Sequence, residues 1–276
     1  MHVNMQNYYM LRQLSHKSKS SLTVYLNKKD ATCIAIKTVP LNHPSWYNES
    51  GILKLLADCE NVPRYLWHTK TQAHIHIATE YIHGVTLELV INELNMRPSR
   101  LRGYLRQLVE TMVRVHDKSI MHGDLKPENI MVTHPTRTEA SMVYIVDWEY
   151  AIEVDKIDTL LCYRAGTLIY ASPERMEPNT PIDIKDDCWS IGVVIYETMT
   201  GLNPYASATT MKELMKIIHD PSRIDLSLPV FTDLFKDLIS NILTPRETRY
   251  TMKDIANHAW WDEPISHTST MHHHSI

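Results

Sequence analysis

Glycine is scarce in this chain: there are seven among 276 residues, and none in the stretch LSHKSKSSLTVYL from Leu14 to Leu26. Glycine takes positive φ without strain and lets a backbone come close to a ligand, so that stretch is denied both freedoms. Cysteine is sparse too. Cys33, Cys59, Cys162 and Cys188 are widely spaced and form no CxxC pair, which points to free thiols rather than a disulfide framework or a zinc site. Lys and Arg form no long basic stripe and the formal net charge is -4, so nucleic acid is not expected as a partner. The longest apolar run, around WSIGVVIY, is too short to span a bilayer, and the start, MHVNMQNYYMLRQL, lacks the apolar core of a secretory signal. The expectation is an intracellular protein off the membrane, cytoplasmic or nuclear, and in a host cell if the gene is viral. No internal repeat is present, and the tail HTSTMHHHSI reads as a disordered polar terminus.

With 43% hydrophobic and 22% charged residues, the chain can bury the core of one large domain or of two packed lobes. Its character changes near residue 84. Before that point SLTVYL, CIAIKTV and AHIHIATEYI read as strands, with a helix-like segment, NESGILKLLADC, between them. Beyond it helices dominate. Leu101, Tyr104, Leu105, Leu108, Met112 and Val115 follow helical spacing behind Ser99 as a candidate N-cap. DDCWSIGVVIYETMTG is apolar on nearly every side and stops at Gly201, as a helix buried in the second lobe would.

Between the amphipathic helix and a short strand, NIMV, lies IMHGDLKPENIMV, where His122, Asp124, Lys126 and Asn129 crowd together. Further on, the strand MVYIV delivers Asp147 at its end. A lone acid at such a place usually caps a turn. Two acids and an amide at strand ends also suit magnesium, which takes one or two carboxylates plus phosphates and water rather than a full protein cage.

Six segments in order then resemble the eukaryotic-type protein kinase family: CIAIK its VAIK strand, HGDLKPEN its HRDLKPEN loop, VDWE its DFG motif, GTLIYASPE its GTxxYxAPE, DDCWSIGVVIYETMTGLNPY its DxWSxGVxxYE segment, and RYTMKDIANHAWW its closing RxT motif. The resemblance implies an α+β, two-lobed fold in a single kinase domain, with a small β-rich N-lobe over about 8–82, a larger helical C-lobe over about 84–262, and a tail beyond. It implies ATP with magnesium, or manganese, as cofactors and serine or threonine hydroxyls of protein substrates as acceptors. Lys37 would hold the α- and β-phosphates and Glu49 would aim it, with Ile52 and Leu53 on the core face of the same helix. Asp124 would orient the substrate hydroxyl, Lys126 would stabilise the transferred phosphoryl group, and Asn129 and Asp147 would hold the metal. Thr167 would bridge Asp124 and Lys126 through its hydroxyl. Thr79, the Glu80 carbonyl and the Ile82 backbone would line the adenine site, with Leu14, Val24, Ala35 and Met131 sandwiching the ring. Glu174 with Arg249 resembles a buried structural ion pair, and Asp187 the acid that anchors the catalytic loop. Lys126-Pro127-Glu128 and Gly166-Thr167 resemble the serine/threonine branch, and Glu128 is a candidate partner for a basic residue in the substrate.

Three departures bear on function. The family's GxGxxG is replaced by a glycine-free stretch in which a tight phosphate-covering hairpin is not expected, since left-handed conformations cost other residues roughly 1–2 kcal/mol. Lys17 and Lys19 could offer charge there, or form a solvated basic loop. Gly123 replaces an arginine that pairs with a phosphorylated activation segment, which implies that phosphorylation at Thr159 or Tyr163 is not the switch. Glu149 replaces the glycine of DFG, while Trp148 can still fill an apolar slot. The linker from Lys37 to Glu49 is short, as in a trimmed N-lobe. Three readings stay open: an active serine/threonine kinase, a pseudokinase serving as a binding module, and a small-molecule kinase, because HGD and DWEYA also resemble loops of aminoglycoside and choline kinases. The oligomeric state is open as well.

Overall fold

A computed structural model describes residues 5–17, 20–42, 45–94, 96–135, 141–156, 166–177, 180–220, 224–228 and 231–264. The N-terminal part is a five-stranded antiparallel sheet in the order β1-β2-β3-β5-β4, built from β1 (Tyr8–Lys17), β2 (Ser20–Asn27), β3 (Cys33–Pro40), β4 (Tyr65–Lys70) and β5 (His74–Glu80), with α1 (Ser45–Leu55) against it. Alternation along β3 sorts its side chains by face. Ile34 and Ile36 pack with Ala78 beneath Tyr8, Tyr25 and Trp67 on one side, while Ala35 and Lys37 project to the other, toward α1 and the cleft. α1 begins a few residues before the expected NESGILKLLADC segment and buries Ile52 and Leu53, as their spacing from Glu49 requires.

The glycine-free stretch does form a hairpin. β1 and β2 stay paired to Lys17 opposite Ser20, with register shifts between Met10 and Arg12 and between Gln13 and Ser15. No described residue of this hairpin has a positive φ, so nothing in its described ladder demands glycine. Lys19 and the side chain of Lys17 lie outside the described residues, as do Cys162, Thr159, Tyr163 and the histidine-rich tail.

The C-terminal part is helical. Beyond β6 (Gly84–Thr86) and α2 (Leu87–Glu93) runs α3 (Pro98–His116), which buries Leu101, Tyr104, Leu105, Leu108, Met112 and Val115. The expected Ser99 cap is not used. The helix starts two residues earlier than such a cap would set it, with Pro98 at its first position behind Arg97, because proline has no N–H that needs a cap. The short strands β7 (Ile120–Met121), β8 (Ile130–Thr133), β9 (Val143–Ile145) and β10 (Ile152–Glu153) frame the loops that carry the polar cluster. After α4 (Pro173–Met176), α5 (Lys185–Thr200) crosses the interior with nearly every side chain buried and ends on Gly201 at φ 75°. α6 (Met211–Ile218), α7 (Asp233–Ile242) and α8 (Met252–Ala256) surround it, each capped by a threonine side chain. Cys33, Cys59 and Cys188 are free thiols. Among the described residues no helix is long and apolar enough to cross a membrane.

Candidate active site

Asp187, in the first turn of α5, organises the loop after β7. Its carboxylate accepts from the backbone N–H of His122 (2.7 Å) and of Gly123 (3.0 Å), and lies 3.1 Å from His116 Nε2. Burial alone would raise its pKa, yet these contacts hold it below the ordinary aspartate value, so it stays ionised. His122 is fully buried and its pKa is pushed down by desolvation. The neutral ring directs Nε2 to the Val146 carbonyl (3.2 Å) and accepts the Asp124 N–H at Nδ1 (3.2 Å), which defines the tautomer. Gly123 sits at φ 79°, and a Cβ there would lie 2.7 Å from the Tyr150 carbonyl oxygen. This turn therefore has a steric reason to carry glycine. Arg175 supplies a guanidinium to the same place from the far side, donating from Nη1 to the Gly123 carbonyl at 2.7 Å.

The loop so held brings together four of the expected residues. Asp124 Oδ1 accepts the Thr167 backbone N–H (2.6 Å), and Oδ2 faces Lys126 Nζ (2.9 Å) and Asn129 Nδ2 (3.1 Å). Asn129 Nδ2 also donates to the Asp124 carbonyl (2.8 Å), which leaves its amide oxygen for another partner. Lys126 Nζ donates to Thr167 Oγ1 at 2.6 Å. Thr167 does bridge Asp124 and Lys126, but with two groups: its hydroxyl serves the lysine and its backbone N–H serves the aspartate. A hydroxyl turned to the ammonium is a better acceptor for it than a donor to the acid.

Across the cleft Lys37 Nζ stands among three carboxylates: Asp147 Oδ1 at 2.7 Å, Glu149 Oε2 at 2.9 Å and Glu49 Oε2 at 3.0 Å. Burial would lower the lysine pKa, but the surrounding negative charge outweighs it and the ammonium is held well above its ordinary value. Glu49 is held above its ordinary value by its own burial, only partly offset by Lys37. Asp147 itself takes a left-handed conformation (φ 62°, ψ 70°) before a 3-10 turn over Trp148–Tyr150. Trp148 fills its apolar slot, with its indole N–H on the Ile145 carbonyl (3.0 Å) and its ring edge-on to His122.

Between the two clusters opens a cavity of about 950 Å³. Leu14, Ala35, Thr79, Glu80, Ile82 and Met131 line it as expected, together with Lys37, Glu49, Lys126, Asn129, Asp147 and Glu149. Val24 does not. Leu22 takes that part of the wall, and Val24, two residues further along the same face of β2, is buried. β2 pairs Leu22 with Lys37 and Val24 with Ala35, and two residues of strand carry a side chain about 6–7 Å further along. No sequence signal announced Arg175, or that Glu149 reaches Lys37. In the second lobe Arg249 Nη2 meets both Glu174 oxygens at 2.8 Å, as the expected ion pair.

Comparison with known proteins agrees with this geometry. The protein kinase domain matches residues 13–261. The chain belongs to the protein kinase family. Serine/threonine-protein kinase 36 of Mus musculus is 24% identical over 92% of this chain and 19% of its own length. Sperm motility kinase 2B of Mus musculus is 26% identical over 93% of the chain and 52% of its own, and an Aurora kinase of Yarrowia lipolytica is 29% identical over 72% and 52%. The chain thus spans between about a fifth and about a half of these relatives. Within the kinase fold, the sheet with α1 forms the small lobe and the helices from α2 onward the large one.

Proposed function

We propose that this kinase domain transfers the γ-phosphoryl group of ATP, with a divalent metal, to serine or threonine hydroxyls of protein substrates. The observation that carries the reading is the knot of Asp124, Lys126, Asn129 and Thr167, which presents an acid and an ammonium together at the mouth of a cavity whose far wall holds Lys37. The relatives named above, which carry the names of protein kinases, support it. Asp124 would accept or orient the hydroxyl proton, and Lys126 would offset charge on the group in transit. Lys37 would hold the phosphates. The donor set fits magnesium or manganese: Asp147 and the Asn129 amide oxygen are hard ligands, and among the described residues no His, Cys, Asp or Glu trio could hold a metal without phosphate oxygens. When bound, the metal would neutralise phosphate charge. Glu128, exposed at the cavity mouth, suits a basic residue of the substrate.

Gly123 cannot pair with a phosphate, so phosphorylation at Thr159 or Tyr163 would not be the switch. A second reading, a pseudokinase that binds rather than transfers, is favoured by the glycine-free hairpin and by the extra carboxylate on Lys37. A labelled-ATP assay with basic and acidic protein substrates, run with and without divalent metal and beside Asp147→Asn, decides between them. Metal-dependent transfer lost in the variant is expected. Wild-type transfer no greater than the variant's would leave the binding module.

A further inference from the structure

The residue after Asp147-Trp148 is glycine in the family's DFG motif and Glu149 here, and its carboxylate points into the cleft. Lys37 Nζ donates a hydrogen bond to Glu149 Oε2 at 2.9 Å and another to Asp147 Oδ1 at 2.7 Å. Glu49 Oε2 lies at 3.0 Å from the same nitrogen, a third close carboxylate. Two of the three carboxylates around the ammonium therefore come from the segment Asp147–Glu149, and one comes from α1. That segment is held firmly. Trp148 is buried and bonded to the Ile145 carbonyl, and the turn after it is tied to α1 by Asn48, which donates to the Ala151 carbonyl. Glu149 cannot leave Lys37 without a rotamer change or the unpacking of this turn.

From this geometry we infer that Glu149 is a positioning residue for Lys37, sharing with Glu49 the task of aiming the ammonium, so that the aim survives the loss or movement of the carboxylate on α1. With glycine at position 149, Glu49 would be the sole glutamate holding the lysine. With glutamate there, the two are partly redundant. The kinetic consequence rests on the kinase reading above; the contact itself does not.

The test has two arms. In the first, nucleotide-free protein is treated with an amine-acetylating reagent at one fixed pH, and Lys37 modification is read by mass spectrometry against the exposed Lys29. A charge-assisted hydrogen bond is worth about tenfold or more, so Glu149→Gln should raise the Lys37 rate by about that factor, at least as much as Glu49→Gln does. In the second, kcat/KM is measured for Glu49→Gln, Glu149→Gly and the double variant. Glu49→Gln should cost about tenfold when Glu149 is present and about a hundredfold or more beside glycine, a non-additivity that a purely structural role would not produce. An unchanged Lys37 rate in Glu149→Gln, or an equal cost of Glu49→Gln in both backgrounds, overturns the inference. If the protein transfers no phosphate, the acetylation arm still decides the role of Glu149, so the two readings fail separately. Melting midpoints close to the wild type show that a contact and not the fold was lost, and Glu149→Gly serves as the second variant for acetylation.

Discussion

The two walls of the cleft solve the same problem in opposite ways. On the large-lobe side the carboxylates that set the loop after β7 are surrounded by donors: Asp187 by two backbone N–H groups and His116, and Asp124 by Thr167, Asn129 and Lys126. On the small-lobe side the single ammonium of Lys37 is surrounded by three carboxylates, Glu49 from α1 and Asp147 and Glu149 reaching over from the large lobe. An excess of fixed, largely neutral donors holds an acid in place with little dependence on ions. An excess of acids around one base holds by charge. The large-lobe wall is thus built as a rigid template and the small-lobe wall as a charge balance that nucleotide phosphates and a metal would redistribute.

The sharpest way to break the template is at its centre. Asp124→Asn should lower the transfer rate by roughly 10²–10⁴, the usual worth of a positioned acid–base group, while the melting midpoint moves little. A rate within tenfold of wild type would remove Asp124 from the chemistry.

Behind the template, the Glu174–Arg249 pair should show in stability. Arg249 is 2% exposed, so Glu174→Gln leaves a buried charge underpaired and should cost about 3 kcal/mol at neutral pH by thermal or denaturant unfolding. Burial would raise the Glu174 pKa, but Arg249 overrides it and holds the carboxyl below its ordinary value near 4.5. The folded pKa is depressed, so this contribution is present above about pH 4.5 and is lost as pH falls through the lower folded value. The variant should therefore have a flatter acid limb, and parallel limbs would contradict the assignment.

Putting the family's arginine back at position 123 should harm rather than help. Strain at φ 79° and the collision with the Tyr150 carbonyl should cost about 2 kcal/mol in unfolding experiments, with lower activity. A gain in activity would mean that the loop can re-form around arginine.

On the small-lobe wall, Leu22→Gly removes an apolar side chain from the cavity and should raise the KM for ATP about tenfold, whereas an unchanged KM would put the nucleotide elsewhere. The smallest effect is expected where the template needs no phosphate. Thr159→Ala with Tyr163→Phe should keep the rate within about twofold, and phosphatase treatment should change as little; a large fall in either would show a basic residue receiving phosphate.

Most of the fold and much of the site were legible because their signals are local or run in a fixed order. The spacing of Leu101, Leu105, Leu108 and Met112 named a helix face, and Gly201 named the end of α5. Lys37, Glu49, Asp124, Lys126, Asn129 and Asp147 could be picked out because their spacing along the chain follows a pattern of motifs. What failed depended on register and on packing between distant segments. Arg97 rather than Ser99 holds the cap position, with Pro98 as the first helical residue, and Leu22 rather than Val24 lines the cavity.

The sequence by itself determined which residues are available: a polar set for phosphoryl chemistry, a first strand pair without glycine, and a glutamate where the family pattern has glycine. Only the tertiary structure decided how they are used. A ladder with no positive φ among its described residues pairs the first two strands, a neighbouring carbonyl makes glycine necessary at position 123, and a turn pinned by Trp148 carries Glu149 onto Lys37. The physical reason is that side-chain chemistry is a property of each residue alone, whereas the partner an ammonium or a carbonyl meets is set by segments that lie far apart in the chain and close in space.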